Sequence, residues 1–137
     1  MNWVDDLLDD LKLDEGFRPS PYRDSVGKLT IGYGWNLDAR PMRIQEAEVR
    51  LISDIAEAVA ELTWAFPWFV GMSDNRTRAL INMCFNMGMT KLRGFTKMIR
   101  ALAREDYETA AAEALDSKWS AQVGARAQRI AELLRNG

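Results

Sequence analysis

The spacing of apolar side chains divides the chain into a helical start, a short non-helical segment and a long helical remainder. Large apolar residues recur three or four positions apart at the start of the chain: Trp3, Val4, Leu7, Leu8 and Leu11. This spacing predicts an amphipathic helix over residues 2–13, and Gly16 predicts its end. After Pro41 the helical spacing returns and continues to the end of the chain.

Several helices are predicted in this long remainder. A stripe from Ile44 to Leu62 is interrupted at Pro67. Ser73 is a typical N-cap for a helix that runs through Met83 and closes at Gly88, and Cys84 and Trp119 are expected in the core. Shorter helices are predicted at about 95–104, 107–117 and 123–135.

The segment between Phe17 and Asp38 has a different pattern. Two prolines and three glycines disfavour a long helix here, namely Pro19, Pro21, Gly27, Gly32 and Gly34. Leu29, Ile31 and Tyr33 alternate with small residues, which predicts a strand, and residues 24–28 predict the turn before it. Glycines in a strand often mark the close approach of another molecule or chain segment. The fold class predicted is therefore α+β, mainly α, with a small hairpin or sheet.

Composition narrows the chemistry that is open to this chain. The sequence has 137 residues, a length that suits one domain, and it contains no histidine and one cysteine, Cys84. This excludes Ser-His and Cys-His nucleophile pairs, histidine-ligated metals, internal disulfides and Cys-rich zinc sites. We expect no cofactor and no metal. With 20 Asp and Glu residues, acid–base chemistry falls to carboxylates.

The charge distribution is uneven although the net charge is only −2. No acidic residue lies between Asn75 and Arg104, whereas that stretch holds seven basic residues. The stretch is either a solvated helix face or a surface for a polyanion such as nucleic acid or a cell-wall polymer. Because the whole chain is mildly acidic, we expect no nucleic-acid partner.

Two carboxylates and one hydroxyl stand out by position. Glu15 ends the first helix just before Gly16, where contact with apolar side chains would raise its pKa and suit a general acid. Asp24 follows after eight intervening residues, at the mouth of the turn, and Thr30 after five more. Two carboxylates in different environments are used in glycosidic cleavage. On spacing alone, Glu15 and Asp24 could equally cap turns.

The residues around these positions resemble a known family. The stretches 13–17 and 22–34 contain E-x8-D-x5-T and end in T-I-G-x-G. They closely resemble the phage lysozyme (endolysin) family, glycoside hydrolase family 24. Two later stretches are similar to the same family, in family order: 82–88 with 94–96, and 118–119 with 124–132. The likeness covers about two-thirds of the chain.

The resemblance implies a lysozyme-like single domain over 1–137, with a small lobe at about 14–40 and a helical body formed by 1–13 and 41–137. It implies Glu15 as general acid, Asp24 as second catalytic carboxylate and Thr30 as the hydroxyl that helps to place water. It further implies Gly34, Asn86 and Phe95 as substrate-binding residues. The implied reaction is hydrolysis, with inversion, of the β-1,4 bond between N-acetylmuramic acid and N-acetylglucosamine in peptidoglycan, leading to bacterial lysis.

Some expectations stay open at this stage. Trp35 stands where the family commonly has histidine, and it would pack below the hairpin or lie against a sugar.

The rival functions are a lytic transglycosylase and a non-catalytic helical module that binds cell wall or nucleic acid. We expect a monomer without stable membrane insertion. It would be made in the host cytoplasm and would act on the cell wall after release by a separate pore.

Overall fold

A computed structural model of the chain describes residues 2–137. The chain divides into two compact units, Met1–Val49 and Arg50–Gly137. The described residues form three strands, eight α-helices and one 3-10 turn, which confirms the α+β, mainly α fold class. The single-domain arrangement with a small lobe at about 14–40 stays a prediction. None of the described helices is both long and apolar enough to cross a membrane.

The first unit contains one helix and a small sheet, followed by the start of a long helix. Its elements are α1 (Asn2–Glu15), β1 (Arg18–Arg23), β2 (Leu29–Gly32) and β3 (Trp35–Asn36), with α2 (Ile44–Ala65) beginning at its end. The strands are antiparallel in the order β1-β2-β3, and the register pairs Thr30 with Tyr22 on one side and Asn36 on the other. The prolines of β1 lie on an edge strand, where a missing N–H donor is tolerated.

The predicted strand ends earlier than its alternation suggested. β2 stops at Gly32, and residues 33–34 turn into β3. Both Gly32 and Gly34 have a positive φ, of 66° and 71°, which regular strands do not contain. The apolar stripe of α1 stays exposed, and no described residue of that helix is buried.

The second unit holds the apolar core. Its further elements, after α2, are the 3-10 turn Phe69–Gly71 and six helices: α3 (Asp74–Met87), α4 (Met89–Arg93), α5 (Thr96–Ala103), α6 (Tyr107–Leu115), α7 (Lys118–Val123) and α8 (Ala125–Asn136). α8 packs against α3 and α6, and α5 packs against α6. The largest fully buried side chains are Leu62, Leu80, Met83, Leu92, Met98, Ile130 and Leu134.

The predicted helix caps are confirmed, and so are the two core residues. Ser73 accepts a hydrogen bond from the Arg76 N–H at 3.3 Å, and α3 ends at Gly88. Cys84 and Trp119 are buried. Burial raises the pKa of the Cys84 thiol, with a smaller contribution from the charge of Glu61, so this thiol is held in its protonated, unreactive form.

Two short helices were not predicted. α4 spans five residues and α7 spans six, too few for a helical repeat of apolar residues to show. The predicted helix at 123–135 begins at Ala125 instead, because Gly124 has a φ of 58° and separates α7 from α8.

The contribution of this core to the free energy of unfolding can be tested at Leu80. Leu80→Ala should lower the free energy of unfolding by about 3 kcal/mol, because the side chain is fully buried and its loss leaves a cavity. Val70→Ala is the matched control, since Val70 is 72% exposed. Urea unfolding followed by circular dichroism measures both. A Leu80→Ala loss no larger than that of the control would contradict this core assignment.

Candidate active site

Glu15 and Gly34 meet where α1 ends and the sheet turns. Glu15 is the last residue of α1, and the Gly16 N–H closes the helix by donating to the Lys12 carbonyl at 3.0 Å. The Glu15 carboxyl lies directly against Gly34. A Cβ built on Gly34 would lie 2.5 Å from Glu15 Oε2 and 2.9 Å from its Cδ. The positive φ of Gly34 favours glycine there, and a Cβ would force the flexible Glu15 carboxyl to move away from the main chain.

The expected burial of Glu15 against apolar side chains is wrong. Glu15 is exposed, and its close contact is the main chain of Gly34. The nearby aromatic residues, Phe17 and Tyr33, pair with each other at 5.4 Å between ring centroids and are themselves 61% and 48% exposed. The carboxyl thus lies against the main chain of Gly34 and is accessible to solvent.

Asp24 holds the turn between β1 and β2. Its Oδ1 accepts hydrogen bonds from the Val26 N–H at 3.0 Å and the Lys28 N–H at 2.8 Å, and its own N–H donates to the Lys28 carbonyl. The turn-capping interpretation is therefore correct as far as Oδ1 is concerned. Among the described residues, Oδ2 has no hydrogen-bond partner, and the side chain is half-exposed. One carboxylate oxygen is thus left for another molecule.

Thr30 is connected to Asp24 through a single residue. Thr30 is buried in the middle strand, and its Oγ1 donates to the Lys28 carbonyl at 2.9 Å. The N–H of the same Lys28 donates to Asp24 Oδ1. The main chain of Lys28 therefore joins the carboxylate and the hydroxyl. The sequence predicted Lys28 only as the last residue of the turn, although an Asp in a turn with glycine is a known signal for side-chain-to-backbone bonding.

Asn86 and Phe95 lie in the second unit, on either side of Trp119. The indole N–H of Trp119 donates to Asn86 Oδ1 at 2.8 Å, and the Phe95 ring meets the Trp119 ring edge-on at 6.2 Å. All three line a cavity of about 540 Å³ that also includes Lys91 and Lys118. The structure thus brings Asn86 and Phe95 together, and their predicted role in substrate binding stays a prediction.

The basic stretch between Asn75 and Arg104 is partly structural. The Arg76 guanidinium donates to the carbonyls of Leu134 and Arg135 at 2.7 and 3.1 Å, and it lies 3.4 Å over the Tyr107 ring. Arg104 pairs with Asp106. The exposed basic side chains of this stretch that have no hydrogen bond or ion pair to described residues are Lys91, Arg93, Lys97 and Arg100. Within residues 2–137, no group of three or more His, Cys, Asp or Glu side chains could hold a metal ion.

Sequence comparison defines the class of protein. The phage lysozyme family matches residues 12–135, a range that includes every candidate site residue described above. The chain belongs to the phage lysozyme family, and this membership supports a lysozyme-like glycoside hydrolase.

Relatives are distant but extend over nearly the whole chain. The chain is 26% identical to the probable T4-type lysozyme 2 of Dictyostelium discoideum, across 98% of this chain and 96% of that protein. It is 24% identical to the probable T4-type lysozyme 1 of the same organism, with the same coverage. It is also 26% identical to the pre-baseplate central spike protein Gp5 of Enterobacteria phage T4, where the match takes in 93% of this chain and 27% of that protein.

The contact between Glu15 and Gly34 can be tested by adding one methyl group. Gly34→Ala should lower glycan hydrolysis at least about tenfold, since the new Cβ displaces the carboxyl and small misplacements of reacting groups are costly. Gly124→Ala is the matched control, because Gly124 has a φ of 58° but open space around it. Both should also lose unfolding free energy, because alanine is strained at a positive φ.

Hydrolysis rates and urea unfolding separate the two effects. If Gly34→Ala keeps the wild-type hydrolysis rate, or if Gly124→Ala loses as much, the contact has no part in positioning Glu15.

Proposed function

We propose that this protein is a muramidase that hydrolyses the β-1,4 bond between N-acetylmuramic acid and N-acetylglucosamine in peptidoglycan. One observation supports this above the others. The Glu15 carboxyl is placed against the main chain of Gly34, in the same compact unit as an Asp24 carboxylate that keeps a free oxygen. Membership of the phage lysozyme family supports the coarser class, a lysozyme-like glycosidase.

In the proposed reaction, Glu15 in its protonated form donates a proton to the glycosidic oxygen as the bond breaks. Asp24 accepts a proton through Oδ2 from the attacking water, while its Oδ1 remains in the turn. Two carboxyl groups on opposite sides of the scissile bond, separated by a water, give inversion at the anomeric carbon. We therefore propose an inverting reaction, in agreement with the family resemblance.

Thr30 has a narrower part in this proposal. Its hydroxyl hydrogen is donated to the Lys28 carbonyl, so the hydroxyl oxygen is left to accept a hydrogen bond from water. Thr30 is only 3% exposed, so in this proposal it acts on the water together with Asp24, to which it is joined by the Lys28 main chain. We further propose that the protein is made in a host cytoplasm, acts after release through a separate pore and causes lysis.

Glu15→Gln tests the general acid. The variant should release reducing ends from purified peptidoglycan at least about 100-fold more slowly than the wild type, because Gln cannot donate the proton. Asp9→Asn is the matched control, since it removes a carboxylate from the exposed part of the same helix and should keep the wild-type rate.

Mass spectrometry of the products separates the rival functions. Hydrolysis adds one water to each pair of products, whereas a lytic transglycosylase leaves an anhydro-sugar and adds none. No cleavage by the wild type would favour the binding module and would refute the proposed function. A full rate in Glu15→Gln would remove Glu15 as the acid.

The double role of Asp24 gives a second test. Asp24→Asn keeps an oxygen that can accept from Val26 and Lys28, so it should lose activity while its unfolding free energy changes little. Asp24→Ala loses both hydrogen bonds and should also lose about 1–2 kcal/mol of stability. Hydrolysis assays and urea unfolding of the two variants measure the two roles. Wild-type activity in Asp24→Asn would show that the negative charge is not needed.

A further inference from the structure

The first unit has a cavity that the proposed reaction does not use. It has a volume of about 740 Å³, within the range of ligand-binding clefts. Its walls come from β2 and β3, from the loop after β3 and from the start of α2, and include Tyr33, Trp35, Arg40, Arg43 and Glu46. We call it the Trp35 cavity. Tyr33 and Trp35 flank Gly34, so the cavity adjoins the Glu15 contact along the chain.

Aromatic side chains form one part of the cavity wall. Trp35 is half-buried, and its indole N–H donates to the Arg40 carbonyl at 2.7 Å, which fixes the ring relative to the loop that closes the cavity. Tyr33 is 48% exposed and pairs with Phe17. Rigid, partly exposed aromatic rings with a polar end offer a flat apolar face and a hydrogen-bonding group at once, and the C–H face of a pyranose ring packs well on such a surface.

Charged side chains form another part of the wall, with one positive charge in excess. The Arg43 guanidinium pairs with Glu46 at 3.1 Å, and the Arg43 N–H donates to the other oxygen of the same carboxylate at 2.8 Å. These two bonds lower the pKa of Glu46, so Glu46 is ionised near neutral pH and offsets one of the two arginine charges. Arg40 also lines the cavity, and its charge adds to the lowering of the Glu46 pKa, but its guanidinium makes no hydrogen bond or ion pair to a described residue. A guanidinium without such a partner, in a wall that also contains aromatic side chains, can bind a carboxylate.

We propose that the Trp35 cavity binds an acidic amino sugar, with the pyranose ring on Trp35 and Tyr33 and a carboxylate on Arg40. This inference rests on the proposed function and adds a second contact to the glycan strand. Of the two sugars in the proposed substrate, only N-acetylmuramic acid has a lactyl group, which supplies the carboxylate directly or through an attached peptide. The cavity would therefore distinguish the two sugars and set which of them lies next to Glu15.

Calorimetric titration of the full chain with matched disaccharides tests the proposal. The probes are N-acetylglucosaminyl-N-acetylmuramic acid, the neutral chitobiose of equal length, and the acidic disaccharide extended by a dipeptide that ends in a carboxylate. The wild type should bind at least one acidic probe at least about fivefold more tightly than chitobiose, because a guanidinium–carboxylate pair is gained. The stronger of the two acidic probes identifies the source of the carboxylate.

Variants locate this preference in the cavity. Arg40→Gln should abolish the preference for acidic probes and leave chitobiose binding unchanged. Arg40→Lys should keep part of the preference, which shows that the loss is not one of folding. Trp35→Phe should lower the affinity for all three probes, because the ring loses its hydrogen bond to the Arg40 carbonyl. Arg50→Gln is the control, since it removes another exposed arginine charge, outside the cavity, and should leave all three affinities unchanged.

The outcomes separate this inference from the proposed function, because disaccharide binding needs no cleavage. Equal affinity for acidic and neutral probes, an undiminished preference in Arg40→Gln, or an equal loss in Arg50→Gln would overturn the inference even if peptidoglycan is hydrolysed. A preference that depends on Arg40 in a protein that cleaves nothing would support the cavity and refute the muramidase.

Discussion

The candidate site depends on the absence of one side chain. The Glu15 carboxyl can occupy its position only because Gly34 has no Cβ, and Gly34 can turn the chain there only because glycine tolerates a φ of 71°. The same turn ends β2, starts β3 and gives Tyr33 and Trp35 their places in the wall of the Trp35 cavity. The place of the Glu15 carboxyl, a strand connection and part of a cavity wall thus depend on the geometry of a single residue.

The two units are stabilised by different forces. The core of the second unit is apolar and draws on every helix from α2 to α8. In the described part of the first unit, Thr30 is the only buried residue. Its hairpin is held by Asp24 Oδ1, which accepts from the Lys28 N–H, and by the Lys28 carbonyl, which accepts from the Thr30 hydroxyl; in the loop after β3, Asn36 Oδ1 accepts from the Ala39 N–H. Segments with few buried apolar contacts open at lower free energy than a packed core. Glu15 and Asp24 therefore lie in the unit that has fewer buried apolar side chains.

Sequence patterns predicted the features that depend on repetition or on local chemistry. The stripes of α1, α2 and α3, the Ser73 cap and the turn at Asp24 were all accessible, because each is encoded within a few consecutive residues. α4 and α7 were not, since a helix of one or two turns has no period to detect. Two features could not be predicted, namely the exposure of Glu15 and the Trp35 cavity. Both depend on how separate elements pack together, which the local sequence does not specify.

Asp24 has a consequence for how this protein can change over evolutionary time. One oxygen of its carboxylate holds the hairpin, while the other is free for the proposed chemistry. Selection for the fold and selection for the proposed activity therefore act on the same residue. In a lineage that no longer needs the activity, replacing this residue would still remove the two hydrogen bonds that stabilise the turn. We therefore expect aspartate or asparagine to be retained there after selection for the activity ends. The presence of Asp24 in a related protein is thus evidence for a stable turn as much as for activity.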